Sequence, residues 1–159
     1  MVSRLTDNNA IYSVVKKTDG IKAIATEINR LIKEKEQDKE KRNLEKNIRK
    51  ELLYLGYDIS LKGTRYLIDV IEYVAKLQQE DINSLIKDVF PVIAKRYKIT
   101  PHNLKCSINR ANTSMYFNCE ERKLKEYFSV DEDIKPTTKM IILTIINKIK
   151  NGEINCIKL

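Results

Sequence analysis

With no tryptophan, four glycines and three prolines in 159 residues, the chain is too poor in turn-formers for a sandwich or barrel of many short strands. Cysteine is scarce as well. Cys106, Cys119 and Cys156 are odd in number and far apart, which fits neither a disulfide framework nor a paired metal-ligand spacing and points to a reducing, cytoplasmic setting. The single histidine, His102, reads as a helix-start residue with no carboxylate or cysteine paired to it, and there is no glycine-rich phosphate loop. An enzyme is therefore the least supported class, and no cofactor or metal is expected. No run approaches the roughly 18 apolar residues of a membrane span. The first nine residues lack the apolar core of a signal peptide.

What is present is 42% hydrophobic and 33% charged residues, too apolar for disorder and enough for one main domain with a real core. The pattern points to an all-α fold. The net charge of +8 with a pI near 9.3 favours an anionic partner, and its location is informative. Between Lys87 and Lys125 nine basic residues face three acidic ones, so most of the excess lies there. From Lys33 to Lys50, by contrast, eight basic residues are interleaved with five acidic ones, the pattern of a solvated helix face carrying ion pairs.

Ile21, Ile24, Ala25, Ile28, Leu31 and Ile32 recur at three- and four-residue spacing, which predicts an amphipathic helix after Asp19 and Gly20. The stripe stops at Lys33, and residues 33–43 read either as an exposed continuation of that helix or as a charged linker. The gap argues against a coiled coil. Leu44, Ile48, Leu52 and Leu55 resume the stripe and Gly56 stands where a left-handed cap would end it. Two parts follow: residues 1–43, a helical extension and charged linker, and residues 44–159, the main domain. Further helices are predicted around Tyr66 to Leu77, Ile82 to Val89, Leu124 to Phe128, and Met140 to Ile149 with Gly152 as its end. The tail Ile154 to Leu159 reads as either a strand or a docked end.

The segment from about Phe90 to Phe117 holds two helices joined by a short turn. Thr100 can cap the second helix and Pro101 suits its first position, where a missing N–H costs nothing. Leu104, Ile108, Ala111 and Met115 share one face, leaving Asn103, Cys106, Asn109, Arg110 and Thr113 to others. Small Ala94 lets the first helix come close to the second, as a helix-turn-helix requires. The glycine usual in such a turn is missing, and Lys98 stands near its place. Cys106 reads as an ordinary thiol, and the eight tyrosines read as filling core edges.

From about Glu51 to Ile149 the order of short motifs resembles the C-terminal effector domain of the stage-zero sporulation response regulator of endospore-forming bacteria. Leu55-Gly56, a loop, then Lys62-Gly63 and Tyr66-Leu67 carry the first part of the resemblance. Phe90-Pro91 with Ile93-Ala94-Lys95 and Tyr97 looks like the family's first helix-turn-helix helix, and Lys135-Pro136-Thr137 like its lead-in to the last helix. The resemblance implies a six-helix domain that inserts its recognition helix into the major groove, binds DNA as adjacent copies and controls transcription. In the family that helix carries arginines at the places of Asn103, Cys106 and Asn109 and a glutamate at that of Lys105, none of them kept here, while Arg110 stands at a histidine position. A DNA site other than the family's own box is implied. The family's full regulator also has a receiver, which needs on the order of 100 residues. Residues 1–43 are too few for one, so phosphorylation control is not implied.

The expected function is sequence-specific binding of double-stranded DNA by a transcriptional regulator. Its base-reading candidates are His102, Asn103, Lys105, Cys106, Asn109, Arg110 and Thr113, and its phosphate candidates Lys95, Arg96, Lys98, Thr100, Arg122 and Lys123. The alternative is a non-enzymatic interaction protein that binds DNA weakly or non-specifically, such as an antagonist of a related regulator or an accessory in plasmid or mobile-element DNA processing. The loss of the aligned arginines supports it. Residues 1–43 either dimerise, bind a partner or pack on the domain.

Overall fold

The computed structural model describes residues 21–77, 84–130 and 135–156, and every regular element in them is helical. In chain order these are α1 (Ile21–Tyr54), α2 (Lys62–Lys76), a π-helical turn (Leu85–Val89) that runs directly into α3 (Phe90–Arg96), α4 (Pro101–Asn118), α5 (Glu121–Phe128) and α6 (Thr138–Cys156). The chain divides into two compact units, Met1–Arg42 and Asn43–Leu159. No helix among the described residues is long and apolar enough to cross a membrane.

The charged stretch 33–43 is helix and not linker, since α1 runs through it without a break. Its Lys, Glu and Arg residues are good helix formers whose side chains stay in water. Described ion pairs one turn apart join Arg30 to Glu27 and Glu34, and Arg49 to Glu45, the neighbour spacing at which opposite charges support an exposed helix. α1 ends as its sequence predicts. Gly56 takes the left-handed conformation (φ 83°), with its N–H on Leu53 O and that of Tyr57 on Leu52 O, both at 3.0 Å, the bond pair of a Schellman ending.

The core of the second unit collects Ile48, Leu52 and Leu55 of α1, Leu67 and Ile71 of α2, Phe90, Ile93 and Ala94 of α3, Leu104, Ile108, Ala111 and Met115 of α4, Leu124, Tyr127 and Phe128 of α5, and Ile141, Ile142, Ile145, Ile146 and Ile149 of α6. Burying each large aliphatic side chain stabilises the fold by about 2 kcal/mol. α4 packs against α2, α3 and α6.

Two predicted boundaries differ from the structure. Ile82 to Val89 is predicted as an ordinary helix; Ile82 and Asn83 lie outside the described residues, and Leu85–Val89 is a π-turn capped by Ser84, whose side chain accepts from Lys87 N–H (3.4 Å) while the Ser84 N–H donates to Asp88 Oδ2 (2.7 Å). α6 passes through Gly152 instead of ending there and continues to Cys156. A mid-helix glycine costs about 1 kcal/mol but, unlike proline, keeps its N–H for the helix ladder. The tail, left open between strand and docked end, is thus helical as far as Cys156, and residues 157–159 lie outside the described residues.

Candidate nucleic-acid interface

The turn between α3 and α4 is built by caps. Ile99 N–H donates to Ala94 O (3.1 Å) and Lys98 N–H to Lys95 O (3.2 Å), and this ending places Lys98 in the left-handed region (φ 54°). That is where the sequence lacked its glycine. Lysine carries a Cβ strain there that glycine does not, so Lys98→Gly is expected to raise the unfolding free energy by about 1 kcal/mol. An unchanged urea midpoint would show that the conformation costs nothing. α4 then begins as predicted: Thr100 Oγ1 accepts from Asn103 N–H (3.1 Å) and Pro101 is the first helical residue. The cap leaves the Thr100 hydroxyl proton free to donate outward.

Tyr97 pins this turn to α2. Its ring packs on Tyr66 with centroids 4.5 Å apart, and its hydroxyl donates to Asp69 Oδ2 at 2.7 Å. Burial first, and then the Asp69 carboxylate, push the phenol up to about 12.

One face of α4 is core, formed by Leu104, Ile108, Ala111 and Met115 as the periodicity predicts. Asn112, not singled out from the sequence, joins that side at 5% exposure. At roughly 100° per residue, His102, Cys106, Asn109, Arg110 and Thr113 lie on the opposite side. Asn103 and Lys105 flank them. His102, Asn103, Lys105, Asn109 and Arg110 are exposed, and Cys106 and Thr113 half-buried.

Several of these side chains have partners that spacing along the helix could not show. Thr113 Oγ1 accepts from Lys135 Nζ at 3.0 Å, and Asn109 Oδ1 accepts from the Thr138 hydroxyl at 3.5 Å. Lys135 therefore belongs to this surface, although 22 residues separate it from Thr113. Phe117 belongs there too, since it is 77% exposed and stands one turn past Thr113. Its signal was its spacing, four residues beyond Thr113 and seven beyond Arg110. His102 was expected to lack a cysteine partner, and this is corrected: Cys106 Sγ lies 3.5 Å from His102 Nε2. An i, i+4 pair on a helix is adjacent in space.

The phosphate candidates fall into two groups. Lys95, Arg96 and Lys98 are exposed just before the start of α4, with the Arg96 guanidinium 5.8 Å from the Tyr73 ring centre. Arg122 and Lys123 are on α5, past the far end of α4, which at 18 residues is roughly 27 Å long. Arg122 pairs with Glu126 (3.2 Å), and the Lys123 ammonium sits over the Tyr54 ring at 4.0 Å.

A helical core that holds one face of α4, a capped turn before it, and an outward polar face flanked by cations together define a helix-turn-helix DNA-binding domain. Residues 48–149 match the family model described as Sporulation initiation factor Spo0A C terminal. The chain belongs to that family, as the motif order implied, and among the described residues the match runs from the first buried core residue, Ile48, to the last, Ile149. No curated protein matches the chain.

Proposed function

We propose that the chain is a transcriptional regulator that reads duplex DNA by placing α4 in the major groove. The observation that carries this reading is the division of α4 into a buried apolar face and an outward face bearing His102, Cys106, Asn109, Arg110 and Thr113. Arg110 can donate two hydrogen bonds to guanine O6 and N7, and Asn109 can bond the adenine edge once its 3.5 Å contact to Thr138 is released. Phe117 offers an apolar contact of the kind that thymine methyl groups accept. Lys95, Arg96 and Lys98 at one end of α4, and Arg122 and Lys123 beyond the other, suit phosphates on the two sides of a groove. Adjacent copies on DNA, and a second copy or protein partner for residues 1–43, are part of this proposal.

Selection of bound duplexes from a random library at fixed salt tests it. We expect an enriched motif that relaxes at one position in Arg110→Ala, with a loss of about 1–3 kcal/mol there, whereas Lys95→Ala should weaken all duplexes alike and reduce the salt slope by about one. No enrichment, with binding that fades as salt rises, would favour the alternative of an interaction protein without base reading. The tethering of Asn109 and Thr113 to side chains of the same molecule is the observation on that side.

A further inference from the structure

Among the described residues no group of three or more histidine, cysteine or acidic side chains could hold a metal ion. The pair on α4 nevertheless has the geometry of a two-ligand chelate. A zinc ion bonds thiolate sulfur at about 2.3 Å and imidazole nitrogen at about 2.0–2.1 Å. At a tetrahedral angle those bonds place sulfur and nitrogen about 3.5 Å apart. Cys106 Sγ and His102 Nε2 are 3.5 Å apart already. The two side chains are one turn apart on a single helix, and their separation already matches that of two ligands sharing an ion. The donor set, one thiolate and one imidazole, selects a soft or borderline cation such as zinc or cadmium over magnesium or calcium. His102 is exposed and Cys106 half-buried, which leaves the remaining coordination positions open to water. Cys119, the other free thiol described, has no histidine beside it.

We propose that His102 and Cys106 form a chelating site for a soft divalent metal ion on the outward face of α4, and that its occupancy excludes duplex DNA. On binding, the thiol releases its proton to water, the sulfur and the imidazole Nε2 each donate an electron pair to the ion, and neither is oxidised. Binding therefore tightens as pH rises. The second clause rests on the proposed groove reading. An ion with its waters, fixed in the middle of that face, ties up two base-facing side chains and holds the helix away from the base edges. By linkage, duplex then weakens metal binding by the same factor that metal weakens duplex binding.

The full chain, kept reduced and titrated with cobalt(II) or cadmium(II) alone, tests the site through the thiolate-to-metal charge-transfer absorbance. We expect a band that saturates at one ion per chain, disappears in Cys106→Ser, weakens at least tenfold in apparent affinity in His102→Ala, and is unchanged in Cys119→Ser. Circular dichroism of each variant shows that it is folded. No band, a band that survives Cys106→Ser, or one insensitive to His102→Ala overturns the site and leaves the DNA reading untouched. Competition is measured separately, by adding the selected duplex to the metal-loaded chain. Release of the ion supports exclusion, and a band unaffected by saturating duplex overturns it.

Discussion

Replacing Gly63 with alanine is expected to destabilise the protein by about 3 kcal/mol, the upper part of the range for forcing an atom into a packed core. A Cβ on Gly63 would lie 2.1 Å from the backbone oxygen of Ser107 and 2.7 Å from its carbonyl carbon. Neither can swing aside as a side-chain end could, so α2 and α4 must separate. Separation also loosens the contacts of Leu104 and Ile108, because the same helix carries them into the core. The control is Gly152→Ala, where the added methyl meets nothing within 4 Å; in a helix interior it should raise stability by up to about 1 kcal/mol. Thermal unfolding distinguishes the two, with a fall of roughly 10 °C for the first and a small rise for the second. Equal shifts would remove the account of close helix packing. Duplex affinity should fall with Gly63→Ala even at temperatures where the variant is folded, because the displaced helix is the one proposed to read DNA.

The second large effect is expected at Asn112. Its Oδ1 accepts from the Tyr57 hydroxyl (2.8 Å) and its Nδ2 donates to Thr138 Oγ1 (2.9 Å), so one buried amide joins α4 to the loop after α1 and to the start of α6. Asn112→Ala leaves the Tyr57 hydroxyl, on a residue only 3% exposed, without an acceptor and opens a small void. Together these cost about 3 kcal/mol. Burial already holds the Tyr57 phenol far above its ordinary range, so ionisation offers it no escape at neutral pH. Tyr57→Phe should cost about 1 kcal/mol alone. The double variant should then lose less than the sum of the two, because the orphaned hydroxyl is gone. Strict additivity in urea unfolding would mean that the hydrogen bond carries no coupling.

Much of the fold was legible because apolar periodicity and cap chemistry act locally. The stripe Leu104, Ile108, Ala111, Met115, the Thr100 cap with Pro101, and the left-handed Gly56 are each set within a few residues, and the structure has them all. The π-turn was not legible, since its pattern of apolar residues does not distinguish it from an ordinary turn of helix. Asn112 was missed because a polar residue beside an apolar stripe is ordinarily solvated, and its burial depends on two distant partners, Tyr57 and Thr138, 55 and 26 residues away. On α4, the spacing of apolar residues separated the core face from the side chains on the other faces. It could not place Lys135 beside Thr113, or Thr138 beside Asn109, for those contacts depend on how α6 returns to α4. The histidine–cysteine pair could have been found from its four-residue spacing alone.

α4 is capped at its start, crossed at backbone distance by α2, and anchored through Asn112 at its middle. A part so clamped has little slack to accommodate a partner. For the groove reading proposed above, whatever bending or groove widening the complex demands would then come from the nucleic acid, giving sites with easily deformed pyrimidine–purine steps an advantage at positions no side chain touches.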